Sequence, residues 1–443
     1  MINARKRRGL SQEQAADAVQ VSPTTWGRWE RGVQEVRAVH RTRMAIAFQE
    51  DPAEIARWID GDTALCPLAD FWGGALTLTV KAAEELWRSE LDPSRRHMLA
   101  ALPFVPTAVG EWLAAWSYDP APDSTAHRGS GPQVGMADVE RISQAKQAFA
   151  QIDHQFGAGL VRPAVVKYLN GTVAPLLHGR YDDRVGSALM TAAADMTCLV
   201  GWMAFDIDRN GQAQRYFAQA LRLAKAAGDP VMAAWVLGVM SHQAIYLNRP
   251  TEALRLANAA GEAARQGQAP PRLMGRLALG ERAWATALQV KLSDTREGHS
   301  VKQVERLLAE AQRAYEQGPT DREPTWLPPY DPTRISSEAA RCWHLLGEHQ
   351  RAIECAESAL SGLRGSRTRS AQLAHVNAAE AYLGAGELEQ ALNFARAATP
   401  VAKSLSSPRL VERVRGFSGQ LDPYGSTVQV REFRDYMRVQ LAA

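Results

Sequence analysis

The sequence predicts an all-α protein: a small basic head followed by a long array of paired helices. Three observations carry this expectation. From Met136 to about Leu421 the chain is rich in Ala, Leu and Arg, with helical periodicity and almost no β-branched alternation. The same stretch repeats, with a small residue near the start of each second helix in Gly211-Gln212-Ala213, Thr251-Glu252-Ala253, Gln350-Arg351-Ala352 and Glu389-Gln390-Ala391. Finally, residues 1–45 hold nine Arg and Lys against four Asp and Glu, while all 443 residues together carry only +3. A basic head on a nearly neutral body suits a module that binds a polyanion.

Length and composition set the frame. A chain of 443 residues calls for two or three units. With 46 % hydrophobic and 22 % charged residues it folds around a real core. No apolar run is expected to approach the roughly 20 residues of a membrane helix. No apolar segment follows the charges of Met1–Arg8, so a secretory leader is not expected. Cys66, Cys198, Cys342 and Cys355 are scattered without CxxC spacing, as in a reduced cytoplasmic protein.

In chain order, Gly9 ends a short first helix. Ser11 caps a second over about Gln12–Val19. Ser22-Pro23 starts a third, with Ser as cap and Pro at the first helical position, where its missing N–H costs nothing. That helix runs Thr24–Arg31 and stops at Gly32. Further helical stretches lie around Arg37–Gln49 and Pro52–Ile59. Residues 65–117 read as a helical connector. The Pro, Gly and Ser content of 118–134 reads as a flexible linker. The array fills 135–421 and a C-terminal segment 422–443, with a helix at Val428–Leu441, closes the chain. Within the array the first two small-residue anchors are 40 residues apart and the last two 39; the 99 residues between leave room for one irregular repeat.

The segment from Leu10 to Gly32 resembles the helix-turn-helix of the phage-repressor-like XRE family, which places the head at 1–64. The physics fits that resemblance. Ala16 is small where the two helices must cross, and Val19, Val21, Trp26 and Trp29 point back at helical spacing. Thr24, Thr25 and Arg28 are left to face a major groove. Arg28 is the best base reader, because its fork matches guanine O6 and N7. Ser22 and Thr24 are candidates for bases or thymine methyls. The resemblance implies that Gln12 and Arg31 hold phosphates, while Arg5, Lys6, Arg8 and Arg37 add backbone attraction. Glu30 is expected to pair with a nearby Arg. Gln20 stands where the family usually has glycine, at a strain of about 1 kcal/mol if left-handed. Pro23 replaces a residue that often reads bases. The first helix begins almost at Met1, as a start placed downstream of the true one would leave it.

Leu345-Leu346-Gly347 before Ala352, and Ala381-Tyr382-Leu383-Gly384 before Ala391, resemble tetratricopeptide (TPR) repeats. The whole is then an N-terminal helix-turn-helix domain followed by a TPR-like α-solenoid. It is similar to large actinobacterial regulators in Val139–Ile142, Gly201–Asp206 and Met240–Ala244, and to peptide-pheromone receptors in arrangement. These resemblances imply a homodimer on double-stranded operator DNA, with a peptide or small-molecule effector in a concave groove. Polar candidates for that groove are His242, Gln243, Tyr246, Arg282 and Asn377. The Pro-rich Glu323–Tyr330 either lines or lids the groove, or merely joins two repeats.

Catalytic chemistry is not expected. Zinc spacing, Walker loop, dinucleotide fingerprint and nucleophile elbow are all missing from the sequence, so no metal or cofactor is expected. Asp206 and Glu281 read as solvated or capping carboxylates, and Trp202, Trp235, Trp284 and Trp343 as core. The competing reading is a TPR interaction scaffold with a weak or vestigial DNA-binding head.

Overall fold

A computed structural model of the 443-residue chain describes residues 5, 8–30, 36, 40, 43–44, 47–48, 55, 76–129, 131–293, 298–328, 331, 333–363, 369–404 and 408–441. The chain divides into two units, Met1–Phe71 and Trp72–Ala443. Both are helical. Arg37–Gln49 and Pro52–Ile59 fall largely outside the described residues, as does Cys66.

In the head, helix α1 spans Gln12–Ala18 and α2 spans Pro23–Glu30. Ser11 closes a reciprocal cap: Gln14 N donates to Ser11 Oγ at 3.1 Å, and Ser11 N donates to Gln14 Oε1 at 2.8 Å. The turn between the helices puts Gln20 at φ 58°, the left-handed conformation that favours glycine. Ser22 then caps α2 through Thr25 N at 3.1 Å. Ala15 and Ala16 are fully buried at the crossing, in a core with Val19, Trp26, Trp29, Met44, Phe48 and Ile55.

The body begins with α3 (Leu76–Ser89), α4 (Pro93–Ala100) and α5 (Pro106–Tyr118). These were expected as a connector; instead they belong to the body unit and pack on α9 (Asn210–Ala226). Gln214 clips the start of α5 with a double hydrogen bond to the Val105 backbone, at 2.8 and 2.9 Å. Lys225 Nζ donates to the carbonyls of Ala115 and Trp116 at its end, each 2.7 Å.

The reading of 118–134 as a flexible linker is corrected. Asp183 Oδ1 accepts from Thr125 N, Ala126 N and Ser124 Oγ at 2.7–3.0 Å. Strand β1 (His127–Arg128) pairs antiparallel with β2 (Arg180–Tyr181), and Val134 is buried. A segment rich in turn residues therefore has long-range partners that its composition does not reveal.

The array follows: α6 (Met136–Phe156), α7 (Ala158–Tyr168) continued by a π-helical turn at Leu169–Val173, α8 (Asp183–Asp206), α9, α10 (Pro230–Tyr246) and α11 (Pro250–Gln266). A second π-helical stretch, Met274–Gly280, leads into α12 (Glu281–Ser293) and α13 (Gly298–Tyr315). These two lie within the long interval between the second and third anchors. Then come α14 (Arg334–Leu345), α15 (His349–Gly362), α16 (Arg369–Gly384), α17 (Leu388–Ser404), α18 (Pro408–Gln420) and α19 (Val428–Leu441). Helices pack most closely as the antiparallel pairs α8/α9, α10/α11, α14/α15 and α16/α17. The four anchors Ala213, Ala253, Ala352 and Ala391 each have 0 % exposure, since any larger side chain there would hold the helices apart.

The turns repeat too. Asp208, Gly228, Asn248, Gln268, Gly347 and Gly386 all have positive φ. The next residue in each case donates back across the helix end, as Arg209 N does to Ala204 O and Arg249 N to Ala244 O, both 2.9 Å. The first four positions fall exactly 20 residues apart. Helix α19 covers the end of the array with Val430 and Phe433, which pack on Phe417, Leu421 and Ala391.

One expectation was too strong. Helix α8 is 24 residues long and apolar enough, by length and composition, to cross a membrane. It is instead a central helix of the array, with 78 % of its apolar window buried by its neighbours. Filling an anchor tests the packing: Ala253→Leu should cost about 1–3 kcal/mol in urea unfolding, with the midpoint lowered.

Candidate functional site

The head presents a narrow polar face. On α2, Trp26 and Trp29 turn into the core, with ring centroids 6.1 Å apart. Thr24 and Arg28, one helical turn apart, stay exposed on the opposite side. Ser22 and Thr25 are less free: their hydroxyls are 2.8 Å apart and the former also caps the helix. Thr24 and Arg28 are thus the exposed polar side chains of α2, beside the exposed Pro23.

Glu30 meets the expectation of an arginine partner. Arg5 Nε lies 2.7 Å from Glu30 Oε1, and Arg5 Nη1 donates to Leu10 O at 2.8 Å. Gln12 Nε2 donates to Glu30 Oε2 at 2.7 Å. Burial would raise the Glu30 carboxyl, but the bonds from Arg5 and Gln12 outweigh it and hold the pKa below its ordinary value. Arg5 and Gln12, expected at the phosphates, thus also brace the far end of α2. Arg8 is exposed, with its guanidinium 6.0 Å from the Phe48 ring. Lys6, Arg31 and Arg37 lie outside the described residues.

In the body, the first helices of successive pairs surround a cavity of about 450 Å³. Trp202 and Trp235 line it, together with His242, Tyr246 and the arginines 276, 334, 341 and 409. Of the expected effector residues, only His242 and Tyr246 are on its wall. Asn377 stands behind it, its Oδ1 accepting from Arg341 Nε at 3.3 Å and Arg413 Nη2 at 3.1 Å. Gln243 is buried and donates to Asn210 O at 2.8 Å, a structural clip between helices. Arg282, half-buried on α12, is not on the wall. Trp284 and Trp343 are core as expected, whereas Trp202 and Trp235 form the aromatic side of the cavity.

The chemistry of that wall is divided. Lys146 and Asp195 pair at 2.9 Å, Arg334 and Glu338 at 2.7 Å, and Arg409 Nη2 is 3.1 Å from Asp206. Asp331 accepts from Thr333 N and Oγ1, at 2.9 and 2.6 Å, and Asp153 adds a further carboxylate from α6. His242 Nδ1 faces Glu281 Oε1 at 3.0 Å. Burial, and then the charges of Arg409, Arg334 and Arg341, push His242 well below its ordinary pKa and keep the ring neutral. Burial alone would push the Tyr246 hydroxyl up, yet the nearby Arg341, Arg409 and Arg413 bring it down. The Pro-rich loop crosses one side: Lys146 Nζ donates to Trp326 O at 3.0 Å, Gln147 Nε2 to Thr325 O at 2.9 Å, and the Trp326 ring sits 5.9 Å from Trp235. It therefore borders the groove as well as joining two repeats; Pro329 and Tyr330 lie outside the described residues.

Two substitutions test the head. Glu30→Gln should weaken it by about 1–2 kcal/mol, read as faster hydrogen exchange of the α1 and α2 amides. Because folding lowers the Glu30 pKa, the wild-type advantage is present above the ordinary carboxylate range and is lost as pH falls through the depressed value. Gln20→Gly should slow the same exchange, by relieving about 1 kcal/mol of left-handed strain.

No curated protein was found to match the chain. Residues 3–58 match the model of a helix-turn-helix domain, so the unit built on α1 and α2 is a DNA-binding head of the kind that regulators carry.

Proposed function

We propose that the chain is a sequence-specific DNA-binding transcription regulator of the XRE kind. It acts as a dimer on a two-fold operator, most simply as a repressor. The observation that carries this reading is the outward pair Thr24 and Arg28 on a helix whose other face is locked into the head's core. Arg28 has the fork that reads guanine, and Ser22, by capping α2, sets the end of the helix that enters a groove first. One such head covers a half-site; two heads set a helical turn, about 34–36 Å, apart supply affinity and symmetry. The TPR-like body then carries the dimer contact and an effector site, and an effector acts by favouring one spacing of the heads over another.

Fluorescence anisotropy on the DNA upstream of the gene itself tests this, with shuffled DNA as competitor. Arg28→Ala should cost about 1–3 kcal/mol on the specific DNA and little on the shuffled one. Binding should weaken steeply as salt rises. Equal affinity for specific and shuffled DNA in wild type, unchanged by Arg28→Ala, would favour the interaction scaffold instead.

A further inference from the structure

Charge is treated unevenly inside the body cavity. Most lining charges form ion pairs, but two guanidiniums form none among the described residues. Among the described residues no carboxylate lies within ion-pairing distance of Arg276 or Arg341. Arg276 Nε is buried without a hydrogen bond among the described residues, and its guanidinium carbon rests 4.8 Å from the Trp235 ring centroid. Arg341 donates only its Nε, to Asn377, while its guanidinium carbon lies 4.7 Å from the Trp284 ring and 5.8 Å from that of Tyr246. The carboxylates of Glu281 and Glu338 act on Arg276, and that of Glu338 on Arg341, but from beyond ion-pairing distance, so both guanidiniums keep donors turned to the cavity. Arg334, Glu338 and Arg341 share one face of α14 and turn it to the cavity. The opposite requirement, flat apolar surface, is met by Trp202 and Trp235, and the volume of about 450 Å³ is that of a small-molecule site.

We infer that the cavity binds a small organic anion with a flat apolar body, its charge answered by Arg276 and Arg341 and its body lying against Trp202 and Trp235. Guanidiniums suit this task, because their planar forks bond a carboxylate, sulfonate or phosphate while stacking on rings. Cation–π contact holds them in place when the site is empty. As the effector of a regulator this ligand rests on the DNA-binding reading; its binding does not, so the test is made without DNA. A failure of operator binding leaves the result intact.

The probes are anilinonaphthalene sulfonate, a flat aromatic anion, and its neutral relative N-phenylnaphthylamine, titrated into the full-length protein with dye and tryptophan emission followed together. The anion should bind saturably at one site per chain, about tenfold tighter than the neutral probe. Arg276→Gln and Arg341→Gln should each remove most of that preference while leaving the neutral probe unchanged. Trp202→Leu should weaken both probes. Thermal melting of the glutamine variants without probe guards against misfolding: each should keep one cooperative transition close to the wild-type temperature. Equal affinity for the two probes, or anion binding untouched by both arginine substitutions, overturns the inference. So does a loss of stability in both arginine variants, which would give these side chains a structural role.

Discussion

Two helices can lie close only where the side chains between them are small, and both units of this chain are arranged around that constraint. In the head, Ala15 and Ala16 let α1 and α2 cross above the Trp26 and Trp29 rings. That crossing decides which face of α2 is consumed by packing, and therefore that Thr24 and Arg28 are what remains outside. In the body the same device recurs at Ala213, Ala253, Ala352 and Ala391. Each pair buries its apolar seam on the next, the left-handed turns restart the chain at fixed spacing, and the first helices come to line a common inner surface.

That inner surface explains why the interior is charged. An array of stacked pairs does not close a single dense core along its axis, so side chains on the concave side need not be apolar. Here they are largely ionic: Lys146 with Asp195, Arg334 with Glu338 and Arg409 near Asp206 satisfy one another, while Arg276 and Arg341 stand over tryptophans. Paired buried charges contribute little net stability but resist the loss of either partner. Such a wall is poorly suited to being mere packing and well suited to recognising a charged molecule.

Much of the head was legible because its signals are local. Ser11 as a cap, Ser22 with Pro23, and the small residue at the crossing act over three or four positions. The strain at Gln20 was legible for the same reason. What was hidden was pairing at a distance: that Arg5 and Gln12 both reach Glu30, 25 and 18 residues away, is not visible in the local pattern. The repeat of the body was visible in its alanines, whereas its cavity was not. Arg334, Glu338 and Arg341 sit at helical spacing and could have been noticed as a charged stripe. Arg276 and Arg409 reach the same space from helices far apart in sequence, and no periodicity predicts that. The 118–134 segment failed in the other direction, since composition recorded its turns but not the carboxylate of Asp183 that fastens it.

The central claim is that the exposed face of α2 reads DNA in a symmetric, sequence-specific way. Selection of binding sites from random duplexes by the full-length protein tests it most directly. The account predicts a two-fold motif whose half-sites are centred about one helical turn apart, with a guanine whose enrichment disappears in Arg28→Ala. Duplexes recovered without any shared motif, held only by salt-sensitive attraction, would contradict it.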